Sequence, residues 1–195
     1  ERGDLIGEIS RFVVDEACRS YARWREHGWL PPGLWVSVNA SAGELGGDFA
    51  HMLLDTLDRY EVPPNRFVVE VTEDTLVDEH NAVVPLRGLR ERGINVAVDD
   101  FGTGYSSLSY LHRLPVNVLK IDRSFVAGFD DPTTRTVTRS IIELAHTLGL
   151  TVIAEGVEQD RQADILRSLG CRAAQGFLWS RPVGGHQLRN VIDQL

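Results

Sequence analysis

The chain has 195 residues, of which 43% are hydrophobic and 25% charged, so it is large enough to bury a core of its own. A formal net charge of −8 argues against a DNA or RNA polymer as partner, because such binding needs a basic face. No apolar run approaches the ~20 residues that span a bilayer, and Cys18 and Cys171 lack the spacing of a zinc motif. We expect a cytoplasmic segment that makes no membrane contact itself, although other parts of its parent protein can be membrane-tethered.

Helical and strand patterns alternate along the chain. Apolar residues at helical spacing predict an opening helix from about Asp4 to about Glu26, and a proline-rich breaker separates it from the first predicted strand. The six predicted strands are LWVSVNAS, RFVVEVTE, INVAVDDFG, VNVLKID, LTVIAEGVE and AAQGFLWS. A predicted helix follows each strand, except that the third is followed by a loop or short helix through Leu108 and Leu111. The first two helices lie around Leu53 and around Leu86, the second with Pro85 in its first turn. The last three run from Val137 to Gly149, from Ala163 to Leu169, and from Leu188 to Leu195.

Strands joined by crossover helices are parallel, and their apolar runs indicate that both faces are covered. Two α/β architectures compete, an open doubly wound sheet and a (β/α)8 barrel. Every predicted strand ends in a chemically capable side chain, whereas an open sheet gathers its ligand at one switch point. The pattern therefore favours a TIM-type barrel with its site at the C-terminal face. The strand-end residues are Asn39, Glu70, Glu73, Asp99, Asp100, Lys120, Asp122, Glu155, Glu158 and Gln175.

The number of strands is smaller than such a barrel requires. A typical barrel has about 250 residues in eight strand–helix units, and this sequence shows six units. We expect residues 1–195 to form strands 3 to 8 with their helices, and the N-terminal one or two strands to lie before Glu1. A six-stranded remnant would have raw sheet edges, so we do not expect the segment to end at a natural domain boundary.

The strand-end acids suggest a metal site. Glu70, Asp99, Asp100 and Glu155 would repel one another unless a proton or a cation intervenes, and hard divalent cations such as Mg²⁺ or Mn²⁺ prefer oxygen ligands. Lys120 lies inside the apolar run VLKID, where a lysine is costly unless it pairs with acids. The alternative interpretation is that these acids are solvated strand ends or helix caps.

Five segments carry a closer resemblance: SVNAS, VVEVTE, VAVDDFGTGYSSLSYLHRLPVNVLKIDRSFV, VIAEGVE and CRAAQGFLWSRPV. They resemble the successive signature segments of the EAL domain, the bacterial phosphodiesterase of cyclic di-GMP, from the first helix to nearly the last residue. The resemblance implies a TIM-type barrel with an irregular first strand, which hydrolyses one phosphodiester of cyclic di-GMP to linear pGpG. It also implies two Mg²⁺ or Mn²⁺ ions as cofactor, and inhibition by Ca²⁺.

The resemblance assigns metal ligands by motif position. Asn39, Glu70 and Asp99 match ligands, with Asp99 placed to bridge the two ions. Asp100 and Glu155 match residues that serve the second metal and the nucleophilic water.

Other matched residues act on the water or on a loop. Lys120 matches the residue that holds or activates the water, and Gln175 matches one that hydrogen-bonds near it, so both join Asp100 and Glu155 in the implied catalytic set. Glu73 resembles a glutamate that anchors the loop after DDFG. This loop commonly lies near a dimer interface in the family, so the resemblance implies a homodimer whose association is coupled to activity. The loop residues are Phe101, Gly102, Thr103, Gly104, Tyr105, Ser106 and Ser107.

One departure from the family pattern is clear. The Glu-Ala-Leu segment that names the family, whose glutamate binds metal, does not occur here, and GELGG and IIELA stand in the wrong places to replace it. Three functions stay open: an active phosphodiesterase, which we favour because the later catalytic positions are filled, a catalytically inactive cyclic di-GMP receptor, and a dimerising regulatory module. A sensory or cyclase domain upstream is compatible with all three.

Overall fold

The computed structural model describes residues 2–77, 82–102 and 111–194. The strands are β1 Val36–Asn39, β2 Phe67–Thr72, β3 Asn95–Phe101, β4 Val118–Ile121, β5 Thr151–Ala154 and β6 Ala173–Ala174. The helices are α1 Arg2–Glu26, α2 Ala42–Leu45, α3 Phe49–Arg59, α4 Val84–Glu91, α5 Arg123–Ala127, α6 Pro132–Thr147, α7 Asp160–Ser168 and α8 Leu188–Ile192. Short 3-10 turns cover Pro64–Arg66, Asp74–Val77 and Leu111–Arg113.

Hydrogen bonds join the strands into one sheet in the chain order β1-β2-β3-β4-β5-β6. The pairs β1–β2, β4–β5 and β5–β6 are parallel. This arrangement confirms the predicted α/β class with crossover helices between parallel strands. Among the described residues, no helix combines the length and the hydropathy that a membrane span requires.

The chain divides into two compact units, of which the first comprises Glu1–Ala97 and Leu108–Val116. Its core includes Phe67 on β2 and Leu53 on α3, both without solvent exposure. Cys18 and Tyr21 of α1 are buried, whereas apolar side chains near the start of this helix, Phe12 among them, are exposed. The predicted amphipathic helix therefore exists, but within this unit its buried face lies in its C-terminal half.

The second unit comprises Val98–Ser107 and Asn117–Leu195. All four residues of β4 are buried, and α6 covers the core with Ile141 and Ile142. Asp131 caps the N-terminus of α6, with Pro132 as the first helical residue, and Gly149 follows the C-cap at a φ of 73°. The predicted end of this helix at Gly149 is therefore confirmed.

Two predictions about the end of the chain are wrong in extent. The strand expected over AAQGFLWS stops at Ala174, because the backbone turns at Gly176, whose carbonyl accepts a hydrogen bond from the Trp179 N–H. The last helix ends at Ile192 rather than Leu195. Both segments are apolar enough to resemble longer elements, and the turn at Gly176 leaves no periodic signal in the sequence.

Candidate metal centre

Two adjacent aspartates lie at the end of β3. In a regular strand Asp99 and Asp100 would point to opposite faces. Asp100, however, has a φ of 53°, in the left-handed region that aspartate tolerates better than most residues. One carboxylate oxygen from each of Asp99, Asp100 and Glu155 lies within 4.8 Å of the others. The bend thus brings the carboxylates of both aspartates close to that of Glu155.

A buried lysine lies against this group, which we call the acid cluster (Asp99, Asp100 and Glu155). Lys120 Nζ lies 2.9 Å from Asp99 Oδ1 and 2.6 Å from Glu155 Oε1, and its side chain is only 5% exposed. A lysine in an apolar strand retains its charge when carboxylates replace its hydration. The expected pairing of Lys120 with acids is therefore present.

Glu155 has a second donor on the same oxygen. Gln175, directly after β6, donates its amide Nε2–H to Glu155 Oε1 at 2.7 Å. The backbone N–H of Glu155 donates to the Ile121 carbonyl at 3.0 Å, so main-chain and side-chain contacts both hold the glutamate. Two donors on one carboxylate oxygen hold the group in one orientation.

Charge is unevenly distributed around the cluster. Loss of solvent raises the pKa of Asp100, and the negative charges of Asp99 and Asp122 raise it further, while Lys120 and Arg123 partly oppose them. Burial also opposes ionisation of Asp122, but hydrogen bonds from Ser124 and Arg123, together with the positive charge of Arg123, outweigh it and lower the pKa of that carboxyl. An excess of negative charge at Asp100 is the condition that a bound cation relieves.

The donors fit a hard divalent cation. Three carboxylates converge, and oxygen ligands of this kind suit Mg²⁺, Mn²⁺ and Ca²⁺ rather than soft metals. The two cysteines are free and buried elsewhere. Burial, with the nearby negative charge of Asp15, raises the pKa of the Cys18 thiol to about 12, so it is a poor metal ligand or nucleophile.

An open cleft of about 480 Å³ adjoins the cluster. Glu155 and Gln175 line it, together with Arg123, Phe177 and Arg181. The Arg181 guanidinium lies 4.7 Å from the centroid of the Phe177 ring. The cleft therefore offers two cations and an aromatic face beside the carboxylates.

The sequence interpretation missed these cleft residues. Arg123 directly follows the segment VLKID, Phe177 lies in the segment that was predicted as a strand, and Arg181 directly follows that segment. The sequence signal that could have identified Arg123 is its position, because it is a basic residue directly after a predicted strand end. Phe177 and Arg181 meet only because the chain turns at Gly176.

The remaining predicted site residues belong to the first unit or to the loop. Asn39 ends β1, and its register partner Glu70 lies within β2, two residues before that strand ends. Both residues line an open cleft of about 560 Å³. Glu73 is buried directly after β2. Phe101 is buried and Gly102 has a φ of 97°, but Thr103, Gly104, Tyr105, Ser106 and Ser107 lie outside the described residues. The roles of these residues stay predictions.

Comparison with known proteins identifies relatives over almost the whole chain. Signaling protein YkoW of Bacillus subtilis is 40% identical over 195 residues, which are 98% of this chain and 24% of YkoW. MucR of Pseudomonas aeruginosa, a bifunctional diguanylate cyclase/cyclic di-GMP phosphodiesterase, is 41% identical over 96% of this chain and 28% of its own length. The chain thus spans about a quarter of the length of these relatives.

Solved structures agree with the sequence relatives. The MucR phosphodiesterase in its cyclic di-GMP complex superposes with a TM-score of 0.89 at 39% identity, covering 96% of this chain and 76% of that one. BlrP1 of Klebsiella pneumoniae, in a manganese and cyclic di-GMP complex, has a TM-score of 0.77 at 32% identity over 89% of this chain and 45% of that one. These likenesses confirm the predicted fold class, the α/β architecture of TIM-type EAL domains. The EAL domain family model matches residues 1–182, and the chain belongs to this family.

Proposed function

We propose that this chain carries the metal-dependent centre of a phosphodiesterase that hydrolyses cyclic di-GMP to linear pGpG. The observation that carries the proposal is the acid cluster with Lys120 and Gln175 in contact with it. Membership of the EAL family, and the likeness to a phosphodiesterase in complex with cyclic di-GMP, support the substrate.

The acid cluster is the part of the site that would hold metal. Asp99, Asp100 and Glu155 supply converging carboxylates, and the family pattern adds Asn39 and Glu70 as further ligands. Two bound Mg²⁺ or Mn²⁺ ions would polarise the phosphodiester and make a water nucleophilic near neutral pH. The likeness to a manganese complex supports this choice of metal.

The chain's own side chains provide orientation and charge. Lys120 holds Asp99 and Glu155 in place, and its buried ammonium is the group we assign to the attacking water. Hydrolysis adds the water oxygen to one phosphorus atom and breaks the bond between that phosphorus and the ribose 3′ oxygen, which takes up a proton. The guanidinium groups of Arg123 and Arg181 line the adjoining cleft, where they can pair with the phosphates of the dinucleotide.

The proposal extends to the protein as a whole. We place the activity in the cytoplasm and infer a homodimer in which the loop from Phe101 to Ser107 couples association to turnover. The bifunctional relative MucR supports a cyclase or sensory domain upstream as the controlling partner.

The first prediction tests turnover. The whole protein, given cyclic di-GMP with Mg²⁺ or Mn²⁺, should release pGpG, identified by chromatography and mass. Asp99→Asn should abolish release, because it removes a carboxylate from the cluster, and Asn39→Ala and Glu70→Gln should each lower it strongly. Asp164→Asn, which alters an exposed pair with Arg167, is the matched control and should leave the rate unchanged.

Three outcomes separate the candidate functions. Binding of cyclic di-GMP without turnover would identify a receptor rather than an enzyme. Neither binding nor turnover would favour a dimerising regulatory module. Full turnover in Asp99→Asn would contradict the assignment of Asp99 as a metal ligand.

A further inference from the structure

A main-chain contact lies directly beside the hydrogen bond between Gln175 and Glu155. The Gln175 N–H donates to the Ala154 carbonyl at 2.8 Å, and the Val157 N–H donates to the Gln175 carbonyl at 3.1 Å. The Leu178 N–H in turn donates to the Val157 carbonyl at 3.0 Å. The segment after β6 therefore lies against the segment after β5, with main-chain hydrogen bonds on both sides of Glu155.

Gly176 lies inside this contact. A Cβ atom at position 176 would stand 2.0 Å from the Val157 carbonyl oxygen and 2.3 Å from the Val157 nitrogen. Both atoms belong to the main chain, so no rotamer change relieves the overlap. Gly176 does not have a positive φ. Glycine is therefore required here for space and not for backbone conformation.

Any side chain at position 176 would move Gln175. The overlap at 2.0 Å has to open to ordinary contact, which begins near 3.4 Å. Gln175 is the preceding residue, and its amide reaches Glu155 Oε1 at 2.7 Å, so the same displacement takes the donor out of hydrogen-bond range. Glu155 would then keep Lys120 as the described donor on that oxygen.

We propose that Gly176 is a positioning residue: its close approach to the Val157 main chain sets the Gln175 amide on Glu155, and thereby orients Glu155 toward the metal. The inference rests on the proposed function for the role of that metal. It adds a residue that acts on the metal ligand through Gln175, and it assigns to Gln175 the task of orienting that ligand.

The test is a double-mutant cycle with Mn²⁺ alone as the probe. Mn²⁺ affinity is measured by titration calorimetry on the metal-free whole protein and on Gly176→Ala, Gln175→Ala and the double variant. Loss of a residue that orients a metal ligand typically weakens affinity about 10- to 100-fold. We expect both single variants to fall in this range and the double variant to bind no more weakly than Gln175→Ala, because one hydrogen bond is lost in all three.

Gly170→Ala is the matched control. Gly170 has a φ of 88° and its nearest neighbour is a His146 ring atom at 3.5 Å, so alanine there strains the backbone without a main-chain overlap. This variant should lower the melting temperature and leave Mn²⁺ affinity unchanged. Losses that multiply in the double variant, or a Gly176→Ala protein that binds Mn²⁺ normally, would overturn the proposal.

A second variant applies if Gly176→Ala does not fold. Gln175→Asn withdraws the amide by one methylene and adds no atom near Val157, so it must weaken Mn²⁺ binding to the same extent. Unchanged affinity in this variant overturns the proposal as well. If the variants change Mn²⁺ affinity as expected but the unmodified protein hydrolyses no cyclic di-GMP, the proposed function fails while the positioning role stands.

Discussion

At the scale of single residues, the enclosure of Lys120 explains how two adjacent aspartates can end a strand. Its ammonium reaches Asp99 and Glu155, whose side chains are only 14% and 16% exposed. Residue types and positions alone were enough to predict the acids and their pairing with a lysine. They did not reveal that Asp100 adopts a left-handed backbone, because aspartate also occupies ordinary strand and cap conformations.

The second prediction concerns Lys120→Met. Removing one partner of a buried charge group leaves carboxylates without compensation, so the metal-free protein should lose about 3–5 kcal/mol of unfolding free energy in urea. Added Mn²⁺ should restore more stability to this variant than it adds to the unmodified protein. Arg161→Met is the control, because its pair with Asp130 is exposed and is expected to contribute less than about 1 kcal/mol. Equal losses in the two variants would contradict this account of Lys120.

At the scale of elements, periodic segments were predictable and short ones were not. Helix α6 spans sixteen residues with clear caps, and its apolar spacing and closing glycine were visible in the sequence. Helices α2 and α5, of four and five residues, are too short for an amphipathic period. Their N-termini are held by local caps, Ser41 with Glu44 at α2 and Asp122 at α5. The turn at Gly176 likewise depends on a close contact with the main chain of Val157, which lies after β5.

The third prediction tests the cap of α6. Hydrogen bonds from the Thr134 and Thr133 backbone N–H groups, with one from the Thr134 hydroxyl, lower the pKa of Asp131. A lowered pKa in the folded state stabilises the protein above the ordinary value of 3.8 and loses this effect as pH falls through the folded value. Asp131→Ala should therefore lower the melting temperature at pH 7, with a difference that narrows in acid below the ordinary value.

The neighbouring residue supplies the control for this cap. Asp130→Ala removes an exposed carboxylate that pairs only with Arg161 among the contacts described for it, so it should change the melting temperature little at either pH. A difference for Asp131→Ala that does not depend on pH would show that its charge is not what caps the helix.

At the scale of the whole molecule, metal binding should be separable from chemistry. Mn²⁺, Mg²⁺ and Ca²⁺ all take oxygen ligands. Ca²⁺ binds six to eight of them at about 2.3–2.6 Å, at longer distances and in a more flexible geometry than Mg²⁺. The similar protein BlrP1 has structures in a calcium complex and in a manganese complex. For this chain we predict that both ions bind.

The fourth prediction follows from this difference. Each ion should raise the melting temperature, by an amount corresponding to about 2.7 kcal/mol at a hundredfold excess over its dissociation constant. Only Mn²⁺ or Mg²⁺ should support release of pGpG, and excess Ca²⁺ should suppress it. Asp99→Asn should lose both the stabilisation and the turnover. Turnover with Ca²⁺ equal to that with Mn²⁺ would contradict the expected inhibition.

The sequence by itself determined the family, the parallel α/β class, and the residue types at the strand ends, because local periodicity and motif spacing are properties of neighbouring residues. Only the tertiary structure decided which oxygen of Glu155 accepts two donors, how Asp100 turns back toward Asp99, and why residue 176 must be glycine. The contacts of Glu155 and Gly176 join segments that are separated along the chain. Their geometry is set by how closely these segments pack, which no local pattern of residues encodes.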